Sequence, residues 1–263
     1  MKHFLRLLLC FPILLTACIE DSEMEPNETI CQELRQSNKT GGSIEQIYES
    51  DRISEVQYFQ NGNLLDYYRF TYGSDGRIEE SQYVNEQTGT RQVPDRITYN
   101  DKGKWIEVRG TNPTGNIFFY EAEYNGQNQL TKYTAKMERA GTVTVRYTID
   151  YEWIGGNNTV RTYVSPTQRT VTRYNFDLNK ENKRRQDQEA IGFLSTVINF
   201  NKNMRTRTAF SSTDVASGTT TESVTEYSYE YNEAGYPSTA TVTSAAAGAA
   251  PTVSTTTFEY SCY

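Results

Sequence analysis

The feature that most constrains this chain is a short unit, Tyr-x-x-x-Gly-x-apolar, that recurs along most of its length. It reads Tyr58-Phe59-Gln60-Asn61-Gly62-Asn63-Leu64, then Tyr72-Gly73-Ser74-Asp75-Gly76-Arg77-Ile78. Further copies are Tyr99-Asn100-Asp101-Lys102-Gly103-Lys104-Trp105 and Tyr231-Asn232-Glu233-Ala234-Gly235-Tyr236-Pro237. Tyr124-Asn125-Gly126-Gln127-Asn128-Gln129-Leu130 is a fifth copy with Asn128 in the glycine's place, and Tyr151 leads a looser one through Gly155-Gly156 to Val160. The unit has the physics of a β-hairpin. Tyrosine ends one strand, Asn, Asp and Ser make the turn, and Gly62, Gly76, Gly103 and Gly235 supply the positive φ that the turn requires. An apolar residue then opens the return strand. The flanks alternate with period two, as in Tyr227-Ser228-Tyr229-Glu230-Tyr231 and Tyr120-Glu121-Ala122-Glu123-Tyr124, which marks strands with one polar face.

Tyr72, Tyr99, Tyr124 and Tyr151 are spaced by 27, 25 and 27 residues, room for two strands and two turns per unit. The opposite turns fall at Asn85-Glu86-Gln87-Thr88-Gly89, Asn112-Pro113-Thr114-Gly115, Arg139-Ala140-Gly141 and Ser165-Pro166-Thr167-Gln168. The expected fold is therefore all-β: an extended, curved antiparallel meander sheet of repeated hairpins, about twelve to fifteen strands in all, with one short helical insert. The repeat lapses between Lys180 and about Thr221. Lys183-Arg184-Arg185 reads as a solvated turn, with a docking patch as the other reading, and leads into an insert at about 186–220. Ala190, Ile191, Leu194, Val197 and Ile198 share one helical face behind Asp187 as a cap, which predicts an amphipathic helix over 188–200. A buried strand through 193–200 is the alternative. Ser217-Gly218 reads as a loop and Ser244 to Pro251 as a flexible hairpin connection. Residues 44–263 form a single β-repeat domain on this reading.

Ahead of it, Met1-Lys2-His3-Phe4-Leu5-Arg6 is a short positive start, followed by an apolar run from Leu7 to Leu15 that is too short to span a bilayer. This is the layout of a removable export signal, residues 1–17. Leu15-Thr16-Ala17-Cys18 resembles the lipobox of bacterial lipoproteins, which implies a lipid-modified Cys18 as the first mature residue and a stable membrane anchor. The other reading is an ordinary cleaved signal with a chance cysteine beyond it. Residues 18–43 read as an acidic tether and linker, with Glu20, Asp21, Glu23 and Glu25 near its start. Position 19 is not Asp, which by resemblance to known sorting rules argues against retention at the inner membrane. The acidic stretch resembles the surface-export signal of Bacteroidota lipoproteins, and a plain solvated linker is the other reading. The Tyr-x-x-x-Gly-x-Leu/Ile unit resembles the tyrosine-rich YD repeats of RHS-type proteins, over about residues 44–185 and 220–262. The combination with a lipobox is similar to uncharacterised Bacteroidota lipoproteins carrying such repeats. The resemblance implies a sheet that curls and wraps, located at the outer membrane, with no known chemistry.

Composition removes most catalytic options. The one histidine, His3, lies in the removed segment, so Ser-His-Asp and Cys-His machinery and histidine-based zinc sites are excluded from the mature chain. Loss of Lys2 and Arg6 lowers the formal net charge of −7 by two, to −9. That balance opposes binding to nucleic acid or anionic lipid. Cys10 leaves with the signal, so Cys31 and Cys262 remain as a candidate disulfide in an oxidising envelope, or as two separate thiols. No metal or cofactor motif is found; neither a calcium loop nor a phosphate-binding glycine loop appears. The carboxylate pairs Glu121 with Glu123 and Asp150 with Glu152 share strand faces. They admit a glycosidase only if an apolar pocket raises one pKa. The aromatic stripe serves either as core or as a platform for sugar rings or a protein partner. The expected function is a non-enzymatic, lipid-anchored envelope or surface binding module for a glycan or a protein. A structural envelope lipoprotein without a soluble ligand is the alternative, and a carboxylate glycosidase the third.

Overall fold

The computed structural model describes residues 31–112, 114–184, 191–194 and 201–262. The export signal, Cys18 and the first part of the tether lie outside the described residues. The strands follow the repeat closely. β1 (Cys31–Asn38), β2 (Gly42–Glu49), β3 (Arg52–Gln60), β4 (Asn63–Tyr72) and β5 (Ile78–Asn85) come first. β6 (Thr90–Arg91) and β7 (Asp95–Tyr99) both pair with β5 and share one place in the wall. β8 (Trp105–Thr111), β9 (Ile117–Tyr124), β10 (Leu130–Arg139), β11 (Thr142–Ile154), β12 (Asn157–Val164) and β13 (Gln168–Glu181) continue the meander. β14 (Asn203–Asp214), β15 (Thr220–Tyr231), β16 (Pro237–Ala246) and β17 (Thr252–Cys262) complete it.

Neighbours in sequence are neighbours in the wall, all antiparallel, as a meander requires. The expected open sheet is nevertheless corrected: β1 pairs with β2 on one side and β17 on the other, so the meander closes on itself as a barrel of sixteen places. An open sheet leaves two edges of unpaired N–H and C=O groups, and closure removes both. The closing strand lies inside the 18–43 segment expected to be linker. It lacks the apolar alternation of its neighbours because its inward positions are Glu33, Gln36 and Asn38, paired with Tyr260, Phe258 and Thr256. Cys31 stands opposite Cys262 at the seam, and their sulfurs are bonded at 2.04 Å.

The turns define two ends. We call the end where Cys31 meets Cys262 the base and the other the rim. The Tyr72, Tyr99, Tyr124 and Tyr231 copies all turn at the base, and their backbones make the same two hydrogen bonds. The first turn residue donates to the carbonyl four residues on, and the amide three residues on donates back to it, as in Asn100 N to Lys104 O and Gly103 N to Asn100 O. The Asn side chain adds to this: Asn100 Oδ1 accepts from Lys102 N and Lys104 N, and Asn125 Oδ1 accepts from Gln127 N and Gln129 N. The Tyr58 copy differs. It is a two-residue turn, Asn61-Gly62, at the rim, with both residues at positive φ. Its likeness to the other copies is one of composition rather than of geometry.

Register assigns the faces. Ile53, Val56, Phe70, Ile97, Val108, Ala122, Tyr133, Ala135 and Ile149 belong to one buried cluster that spans strands β3 to β11. Only the inner face of a closed wall brings so many strands together. Ile53, Ile78, Trp105, Leu130 and Tyr151, the residues nearest the base turns, belong to it as well. Phe193, from the segment between β13 and β14, packs edge-on against Phe70 with centroids 6.1 Å apart. The base half of the barrel is thus filled by side chains. Of the helix expected over 188–200, the described residues hold a 3-10 turn, Gly192–Leu194, and most of the expected span falls outside them. Residues 185–190 and 195–200 lie outside the described residues. The expected insert of 186–220 is also shorter, because the meander resumes at Asn203.

Candidate binding cup at the rim

Towards the rim the inner wall changes character. On β3 to β5, Tyr58, Tyr68 and Tyr83 point inward in sequence, with ring centroids 6.3 and 5.3 Å apart. On β9 to β12 the same row continues through Tyr120, Tyr133, Tyr147 and Tyr163, at 5.6, 6.0 and 5.0 Å. Each ring comes from a neighbouring strand, so the spacing of the sheet itself sets the spacing of the row. Burial pushes the phenols of Tyr58, Tyr68, Tyr120, Tyr133 and Tyr147 upward, Tyr68 to about 12 with the nearby Tyr58 and Tyr83 adding to it. These five stay neutral at physiological pH, polar at the tip and apolar on the face.

Between the two tyrosine groups sit β7 and β8, where Asp95 points inward against Gly110. A β-carbon at position 110 would lie 1.8 Å from Asp95 Oδ1, so the glycine makes the room this carboxylate occupies. Burial raises the Asp95 carboxyl above its ordinary value. A second inward carboxylate, Asp66, accepts a hydrogen bond from the Tyr83 hydroxyl at 3.2 Å. The wall from β13 to β17 is different again: its rim half is lined by hydroxyls. Thr170 bonds Ser212 at 3.1 Å, Gln168 Nε2 donates to Ser212 at 2.7 Å, and Thr225 bonds Ser244 at 3.1 Å.

A cleft of about 590 Å³ opens beside the tyrosine row, lined by Phe118, Tyr120, Thr144, Arg146, Tyr147 and Tyr163, a volume within the ordinary range for small-ligand sites. Arg146 occupies a β-bulge. Ala135 pairs with Tyr147 and Lys136 with Val145, which leaves Arg146 as the extra residue of β11. A bulge bends the strand and re-aims the side chain it carries. The sequence gives no sign of the bulge: Val143, Val145, Tyr147, Ile149 and Tyr151 alternate without a break, yet Val143 and Val145 face outward and the other three inward. The Gly110–Asp95 fit is equally silent, since it depends on two strands meeting.

The structure places the remaining sequence candidates as follows. Glu121 and Glu123 face outward, with Glu121 held by Lys136 Nζ at 2.6 Å. Asp150 pairs with Lys132 on the same outer face, and Glu152 follows it. Neither carboxylate pair has the apolar surroundings an acid catalyst needs. Gly76, Gly103 and Gly235 sit in base turns and Gly62 in a rim turn, all at positive φ and none in the cleft. Arg184, expected in a solvated turn, is instead buried: its Nε bonds the Glu33 carboxylate and its guanidinium lies 4.3 Å from the Phe258 centroid. It closes the base on the β1–β17 side, beside a pair of reciprocal amide bonds between Asn157 and Asn203 at 2.8 and 2.9 Å.

The outer wall is studded with charge at mid-strand. Glu55 pairs with Arg69, Glu80 with Arg96, Glu138 with Arg109 and Glu121 with Lys136, at 2.6 to 3.5 Å. Arg207 and Glu226 face each other on the opposite side of the barrel. Even Phe119, which points outward, lies under the side chains of Arg109 and Lys136.

No family model and no curated protein matches the chain. Among solved structures, it is similar to a porin-like protein from Bacteroides uniformis, at 13% identity and a TM-score of 0.59, covering 87% of this chain and 97% of that one. A porin-like protein from Bacteroides vulgatus is similar at 10% identity and a TM-score of 0.54, covering 87% and 98%. At these identities the likeness is one of fold: a strand-rich antiparallel barrel.

Proposed function

We propose that this chain is a non-enzymatic envelope protein whose barrel stands in water, tethered by lipid on Cys18, and binds a glycan in the cup at its rim. The observation that carries the reading is the tyrosine row beside an open cleft, facing a wall of Ser and Thr hydroxyls. Flat aromatic faces stack on the C–H faces of sugar rings, and the hydroxyls match the hydrogen-bonding capacity of the ring substituents. The porin-like neighbours support an envelope setting. A barrel that crosses a bilayer, however, presents an apolar outer band roughly 25 Å tall, where a Lys or Arg at the midplane costs about 2–4 kcal/mol. Here ion pairs stand on the outer wall and the main cluster of Ile, Val and Tyr lies inside, and this supports a barrel held beside the membrane rather than through it.

The tether orients it. Residues 19–30 connect Cys18 to the start of β1 at the base, and twelve extended residues reach at most about 40 Å. The base therefore faces the membrane and the rim faces away. Two measurements test the reading. With its signal exchanged for an ordinary cleaved one, the protein should be recovered without detergent; recovery only in detergent would sink the water-facing barrel. On a glycan array the mature protein should bind a subset of glycans, and Tyr147→Ala with Tyr163→Ala should abolish that binding. An array without any signal would favour the purely structural lipoprotein. Protease shaving of intact cells tells whether the cup is displayed outside.

A further inference from the structure

Resting on the glycan reading, we infer that the saccharide bound in the cup carries a carboxylate, of the uronic acid type, and that Arg146 receives it. The bulge in β11 singles out Arg146 and sets it on the cleft beside Tyr147. Among the described residues Arg146 has neither an ion-pair nor a hydrogen-bond partner. Other cations that meet the lumen are committed to its packing: Arg184 to Glu33 and Phe258, and Arg205 to the faces of Tyr174 and Tyr227 at 4.6 and 6.0 Å. On the outer wall, Arg69, Arg96, Arg109 and Lys136 are each paired with a glutamate. A guanidinium placed at an aromatic cleft and left without an acid of its own is complementary to an acid on the ligand. Its planar fork takes a carboxylate through two parallel hydrogen bonds.

The rest of the cleft decides what bears that carboxylate. A fatty acid would need a run of aliphatic side chains for its tail, whereas the lining offers of these only Ala135, Val145 and Pro166, against the rings of Phe118, Tyr120, Tyr147 and Tyr163. Such a surface suits a ring with one apolar face and a hydroxylated edge. The inward carboxylates also set a direction. Asp66 on β4 and Asp95 on β7 stand six and four places round the wall from Arg146 on β11. An anionic group is repelled at that side of the row and attracted at the β11 side, so the ligand is held in one orientation.

The test uses the mature protein and two probes of the same size and shape, trigalacturonate and its methyl ester, with binding measured by calorimetry alongside a general glycan array. The acid should bind at least about tenfold tighter than the ester, a margin that shrinks with added salt. Arg146→Gln should remove the margin by weakening acid binding far more than ester binding, and Arg146→Lys should restore part of it. Equal binding of acid and ester, or an Arg146→Gln variant that keeps the full margin, would overturn the inference. The glycan reading would still stand if Tyr163→Ala abolished binding of both. Absence of binding to both probes and to every arrayed glycan would overturn the two together.

Discussion

Single residues in this barrel do their work through where register sends them. Asp95 is the clearest case. Burial holds its carboxyl above the ordinary aspartate value, so the folded chain keeps a proton over a pH interval in which the unfolded chain has lost it. Stability then falls as pH rises through that interval and stays at the lower level above it. Asp95→Asn removes the charge without changing the shape. Its Tm should exceed that of the parent at neutral pH, and the two should converge below the ordinary carboxylate range; thermal melts across pH 3 to 8 decide this. Gly110→Ala gives the complement, since the new methyl meets Asp95 Oδ1 at 1.8 Å. It should cost about 1–3 kcal/mol, measured by denaturant unfolding. Neither this pair nor Arg146 could be read in advance. The apolar alternation of β11 runs past Arg146 without a break, and Asp95 and Gly110 are separated by fifteen positions of unremarkable sequence and meet only when β7 and β8 pair.

The hairpin is the element in which sequence and structure agree best, and the reason is local. A turn that closes through the bonds of Asn100, Gly103 and Lys104 needs nothing beyond its own few residues. The conformational demand falls on the fourth position of the base turn, where Gly103 has φ +75° and Asn128 has φ +59°. Gly103→Ala should lose roughly 1–2 kcal/mol, because a β-carbon crowds the neighbouring carbonyl there. Asn128→Gly, by contrast, should gain up to about 1 kcal/mol from the same relief. Chemical denaturation of the two variants checks both signs. Tyrosine at the head of the unit proved dispensable to this geometry. The rim turn from Asn112 to Asn116 makes the same backbone bonds after a threonine, and the Tyr58 copy keeps its tyrosine yet turns differently. In the segment between β13 and β14 the described residues are few, and Phe193 among them packs into the barrel on Phe70, a tertiary contact that local periodicity does not specify.

At the scale of the whole molecule, closure is what the sequence hid. It depends on β1, whose inward Glu33, Gln36 and Asn38 carry no apolar signature and whose strand partners Tyr260, Phe258 and Thr256 come from the far end of the sequence. A bond between Cys31 and Cys262 spans 231 residues, and in the chain-entropy model such a link contributes up to about 5 kcal/mol. Replacing both cysteines by serine should therefore lower the unfolding free energy by no more than that, and thiol labelling of the unreduced mature protein should leave both unmodified. The tyrosine-filled interior adds a second global property. Unfolded phenols ionise near pH 10, while burial pushes Tyr68, Tyr99 and Tyr229 to about 12. Stability is unaffected below pH 10 and falls as pH rises from there towards 12. Phenolate absorbance should consequently appear in one cooperative step together with loss of the β-sheet signal; gradual ionisation with the sheet intact would show that the rings are not packed as described.

An even number of places in a closed meander brings the start of the first strand and the end of the last to the same end of the barrel, where Cys31 meets Cys262. The turns of the rim, from residues 39–41 round to 247–251, are consequently joined to the base only through the strands. Rim loops can be lengthened, shortened or exchanged without disturbing the seam below. A barrel laid out in this way is able to vary one end while the other stays constant.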